Sequence, residues 1–126
     1  MHAGYAWIPV GLALRALAFF APAVVSRSLA THALTVGAIG SLTLGMMARV
    51  ALGHTGRAFA VSKLIAWAFG AVTAAAFARA IVPLVAPGWY FAALVAAAGL
   101  WTVAFLLYLI VYVPILSMPR VDGKAG

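Results

Sequence analysis

Four runs in this chain, at about residues 3–25, 29–52, 59–84 and 89–118, hold no acidic residue and at most two basic residues each. Each is longer than the roughly 20 residues that carry a helix, at 1.5 Å per residue, across a hydrocarbon core about 30 Å thick. A water-soluble fold needs a charged shell of about a quarter of its residues. Here 67% of the 126 residues are apolar, 7% are charged and the mean hydropathy is +1.18. Lipid removes the need for the shell, because tails solvate apolar side chains while backbone groups pair within each helix. The expected fold is therefore all-α: an integral membrane up-down bundle of about four transmembrane helices, forming one domain with a short tail at 119–126. The links are short, so consecutive helices are expected to run antiparallel.

The boundaries have local signals. Pro22 is expected to loosen the last turn of the first run, and Ser28 to cap the second. Gly53 is expected to end the second run as a residue that tolerates a left-handed backbone. Pro83 and Pro87-Gly88 close the third. No stretch has the basic region and small-residue cut site of a cleavable signal, so the first run is expected to be retained.

Basic residues orient the bundle, since cytoplasmic loops are enriched in them. Arg49, Arg57, Lys63, Arg120 and Lys124 share one side with both termini, and Arg27 and Arg79 fall on the other. Both termini and the loop 53–57 are thus expected in the cytoplasm, with Tyr5, Trp7, Trp89, Tyr90 and Tyr112 in the headgroup zones. Small residues every four positions, Ala33, Gly37, Ser41 and Gly45 in the second run and Ala66, Gly70, Ala74 and Ala78 in the third, are expected to face neighbouring helices.

Charge and composition exclude several functions. The net charge of +7 comes from eight basic residues spread singly against one acid, Asp122, which is unlike the wet basic face of a nucleic-acid binder. Catalysis by paired carboxylates has no residues to use, and phosphate-binding loops, zinc-protease helices and Ser/His/Asp sets are missing. With no cysteine, any metal must be held by His, Met or oxygen. Whether the chain catalyses a reaction stays open.

Three histidines remain, His2, His32 and His54. In the up-down arrangement His2 and His54 are expected at the cytoplasmic face and His32 at the other, about 33 Å from His54 along the helix. Imidazole suits haem iron or copper, although a lone interfacial histidine is equally a solvated side chain. Met46 and Met47 are soft donors, better read as packing. Arg15, near the middle of the first run, costs about 2.5–3.5 kcal/mol on insertion scales with no intramembrane acid to offset it. It is expected either to snorkel or to meet a carboxylate, from another subunit or from an anionic ligand. Arg49 and Arg57 either bind such a ligand or only set topology.

The runs His32-Ala33-Leu34-Thr35-Val36-Gly37-Ala38-Ile39-Gly40, Met46-Met47-Ala48-Arg49 and Leu52-Gly53-His54-Thr55-Gly56-Arg57 resemble the NnrS family of bacterial membrane proteins. His2-Ala3-Gly4-Tyr5-Ala6-Trp7 and Pro119-Arg120-Val121-Asp122-Gly123-Lys124 extend the likeness over nearly the whole chain, which corresponds on this reading to the carboxyl-terminal third of such proteins. The resemblance implies a haem- and copper-containing protein of the inner membrane, linked to nitric oxide, nitrosative stress and denitrification. It implies His2, His32 and His54 as candidate metal ligands, and Arg15, Arg49 and Arg57 as candidates for holding haem propionates. Membrane lipid and other membrane subunits, or further copies of the chain, are the expected partners. The alternative is a non-catalytic subunit of a larger respiratory assembly. A transporter or channel is less well supported, because Thr35, Ser41, Thr43 and Thr73 are sufficiently explained by hydrogen bonds between helices.

Overall fold

A computed structural model describes residues 2–60 and 62–123, and their regular structure is all helical, with no strand among them. Four helical spans are long and apolar enough to cross a membrane: His2–Phe20, Arg27–His54, Lys63–Val85 and Pro87–Ser117. Lys124, expected among the cytoplasmic basic residues, lies outside the described residues.

The first span is α1 (His2–Phe20). It ends five residues before the expected boundary, because Ala21 precedes Pro22 and is sterically pushed out of the helical region. The second span joins α2 (Arg27–His32), a π-helical segment (Ala33–Ile39) and α3 (Gly40–His54). Its cap is Ser26 rather than Ser28: Ser26 is extended and its Oγ accepts from the Leu29 N–H at 3.3 Å, which places Ser28 inside the first turn.

Gly53 does not end this span. The helix continues through His54, and the left-handed residue is Gly56, at φ 69°. The Gly56 N–H reaches the Gly53 carbonyl and the Arg57 N–H reaches the Leu52 carbonyl at 3.0 Å, the paired bonds of a Schellman cap.

The third span is α4 (Lys63–Ala80), capped by the Ser62 side chain, followed after Ile81 by the short α5 (Val82–Val85). The break follows from Pro83, which has no N–H to offer the carbonyl of Arg79 four residues earlier. A 3₁₀ turn (Pro87–Trp89) leads into α6 (Tyr90–Ser117), which stops before Pro119.

The first span packs on the second, the second on the third, and α4 pairs most extensively with α6, which also touches α3. α1 and α6 therefore occupy opposite flanks. All four helices are apolar around their circumference, so size rather than polarity decides what faces inward. Ala68, Val72, Ala75, Ala76 and Ala80 of α4 are buried while Trp67 points outward, and the partly exposed Phe77 meets the Trp7 ring edge-on at 4.9 Å.

The stripe of the second span behaves as expected: Ala33, Gly37, Ser41 and Gly45 are all buried. The stripe of α4 does not. Ala66, Gly70 and Ala74 are exposed, because the face through Ala68, Val72 and Ala75 offers equally small residues and takes the neighbours instead. Two indoles wedge the π-helical region. A Cβ on Gly37 would lie 2.5 Å from the Trp7 ring, and one on Gly40 2.4 Å from Trp101, so only glycine admits these contacts. Thr35 and Thr73 donate to carbonyls four residues back in their own helices, not across the bundle as expected.

Candidate functional site

At the end of the bundle where α2 begins and α4 ends, three polar side chains meet. Once Ser26 has started α2, Ser28 and His32 stand one turn apart on one face, and His32 Nδ1 lies 2.7 Å from the Ser28 carbonyl oxygen. A carbonyl only accepts, so Nδ1 donates in this contact, and in the neutral ring the lone pair is then on Nε2. Ligating imidazoles are oriented by this kind of second bond. The π-helical segment starts at the next residue, and such segments recur at functional sites.

Arg79 comes to the same place from the last turn of α4 and is only 7% exposed. Its Nη2 donates to Ser28 Oγ at 3.4 Å, and its guanidinium lies 5.8 Å from the centre of the Tyr90 ring. Nη1 is buried without a hydrogen-bond partner among the described residues. The partial negative charge at the helix terminus and the ring face offset part of the cost of burying this cation. His32 and Arg79 line a cavity of about 270 Å³ whose other walls are Val36, Leu94, Ala97, Ala98 and Trp101.

The opposite end is also basic, but Thr55, Arg57 and Arg120 there find partners within the chain. Thr55 is buried and its hydroxyl donates to the Ala51 carbonyl at 2.7 Å. Arg57 Nη1 donates to the Ile115 carbonyl at 3.3 Å, near the terminus of α6 where carbonyls lack helical partners. The tail folds back: the Val121 N–H reaches the Thr55 carbonyl, and Asp122 lies against Gly56 and pairs with Arg120 at 2.6 Å. The hydrogen bond from Arg120 to Asp122 raises the already high pKa of this guanidinium. Arg49 lies over the Phe59 ring at 5.3 Å. It borders an apolar cavity of about 400 Å³ that includes Tyr112, and a more open one with Met46, His54 and Arg120.

The predicted site residues are therefore dispersed. Gly4 packs against Ser41 and Leu42, Trp7 against Gly37 and Gly11 against Leu34, an antiparallel register that sets His2 level with about Thr43. His54 lies some eleven residues further, roughly 16 Å at 1.5 Å per residue. The two histidines expected at one membrane face thus stand at different depths. Arg15, expected to snorkel or to meet a carboxylate, is exposed and donates to Thr31 Oγ1 at 3.3 Å.

Among the described residues no three His, Cys, Asp or Glu gather as a metal site. His32, beside a cavity and with Nδ1 committed to a carbonyl, is the described residue that could give an imidazole to a haem iron. A copper centre would need further donors to converge with those of the described residues. Sequence reasoning missed Arg79 and Tyr90. The available signal was that Arg79 continues the buried face of Val72, Ala75 and Ala76 at helical spacing.

No curated protein and no solved structure matches the chain. A family model described as NnrS protein matches residues 1–120. That match does not carry the finer expectation of a carboxyl-terminal third. It spans nearly every element described above, from α1 through the tail that folds onto Gly56, and the chain belongs to the NnrS family.

Proposed function

We propose that this multi-pass membrane protein binds haem, copper or both, and serves the bacterial response to nitric oxide and nitrosative stress from the inner membrane, with both termini cytoplasmic. The observation that carries the reading is His32: its Nδ1 is committed to the Ser28 carbonyl, its Nε2 is free, and it borders the cavity at the start of the π-helical segment. Family membership supports the assignment. On this reading His32 would hold the iron of a haem through Nε2. His2 and His54 ligate only with donors from beyond the described residues, and Arg15, Arg49 and Arg57 stand as candidate propionate partners.

The test is an absorption spectrum and metal analysis of protein purified from its native membrane. A Soret band that disappears in His32→Ala and survives in His54→Ala is expected. Absence of both haem and copper from the wild-type protein would overturn the reading.

A second reading rests on a different observation. The exposed seam of Ala66, Gly70 and Ala74 allows close approach of another helix, as expected of an accessory subunit that docks in a larger membrane complex or against a second copy. It predicts stable co-purification with a partner, lost when Gly70 is replaced by Leu.

A further inference from the structure

Among the described residues no anion lies within reach of the cation at Arg79. The sequence contains one acidic residue, Asp122, and it is paired with Arg120 against Gly56 at the other end of the bundle. Arg79 nevertheless lies buried, with Nη1 unpartnered and Nη2 held only by a 3.4 Å bond to Ser28. A buried guanidinium in that condition is costly unless something outside the chain completes it. Guanidinium is a fork of donors that matches the oxygens of phosphate or carboxylate.

The surroundings narrow the class of ligand. Apart from His32, the cavity that Arg79 borders is walled by Val36, Leu94, Ala97, Ala98 and Trp101, which offer nothing to a freely hydrated ion but accommodate an acyl chain. The site lies where α2 starts, α4 ends and α6 starts, beside the exposed rings of Trp89 and Tyr90. Such rings favour the headgroup level of a bilayer.

We propose that Arg79 and Ser28 bind the phosphate group of an anionic amphiphile, whose apolar part lies along the wall formed by Val36, Leu94, Ala97 and Trp101. The ligand chemistry is a phosphate oxyanion, supplied either by a phospholipid headgroup or by free phosphate. This site shares its cavity with His32, and the groups that would hold the phosphate are the Arg79 guanidinium and the Ser28 hydroxyl.

The full chain, purified in neutral detergent and stripped of lipid, is exposed in separate arms to phosphatidylglycerol, to phosphatidylcholine and to inorganic phosphate. Native mass spectrometry reads bound lipid, and a shift in unfolding temperature reads phosphate. One tightly held phosphatidylglycerol is expected, with retention at least about tenfold lower in Arg79→Gln, as befits loss of a charged hydrogen bond. Arg27→Gln, which removes an exposed charge at the same end, should retain the lipid.

Ala98→Leu narrows the cavity from an exposed wall position without touching the cation, and should also lower retention. A saturable response to phosphate alone, abolished in Arg79→Gln, supports the site and identifies the free oxyanion as its source. Retention of phosphatidylglycerol by Ala98→Leu at the wild-type level, or equal binding of lipid and phosphate by wild type and Arg79→Gln, overturns the proposal.

Discussion

The two ends of this bundle both hold polar and basic side chains and treat them differently. At the end formed by the 53–57 loop and the tail, Arg57 bonds the Ile115 carbonyl, Arg120 pairs with Asp122 and Thr55 bonds within its own helix. At the end formed by α2 and α4, Arg79 is buried with a donor unmet and His32 keeps a ring nitrogen free. In lipid, where unmet polar groups are expensive, an end that satisfies itself serves folding and an end that does not is kept for a ligand. Both contain residues that resemble the family, so resemblance alone did not separate them.

The sharpest break of this comparison is at the histidines. His32→Ala should reduce retained haem by about tenfold or more, the scale on which ligand environments control affinity, whereas His54→Ala should leave it unchanged. Loss in His54→Ala instead would reverse the roles of the two ends. Next in size is Gly56→Val. A β-branched side chain at φ 69° costs about 1–2 kcal/mol in backbone strain. Its Cβ would also lie 2.8 Å from Asp122, so the unfolding temperature should fall and the tail should detach together.

The smallest effect is expected from Asp122→Asn, since an exposed ion pair contributes little. Amide exchange at Val121 should quicken while the spans stay protected. Unchanged exchange at Val121 would mean that the backbone bond to Thr55, not the carboxylate, holds the tail.

The four spans were readable from hydropathy because lipid imposes a length and a polarity that few other environments require. The seam of α4 was not. Ala66, Gly70, Ala74 and Ala78 and Ala68, Val72, Ala75 and Ala76 form two faces of similar size, and only the volume of the neighbouring helices decides between them. The cap at Gly56 was missed because Gly53 satisfies the same local rule, and the tail that lies on Gly56 comes from residues far along the chain.

His32 was found from chemistry, as one of three donors in a chain with no cysteine. Arg79 was passed over for Arg15 because counting residues from a span boundary does not measure burial. Arg15 sits on an exposed face and reaches Thr31, while Arg79 follows the inward stripe.

The central claim, that one end of the bundle is internally satisfied and the other is not, is tested most directly by removing one arginine from each. In lipid-stripped detergent solution, Arg57→Leu takes a donor from the α6 terminus and should destabilise the chain by about 1–2 kcal/mol. Arg79→Leu removes an incompletely paired buried charge and should raise stability, by about 1–2 kcal/mol. Unfolding free energies of opposite sign are the predicted result, and destabilisation of similar size by both substitutions would contradict it.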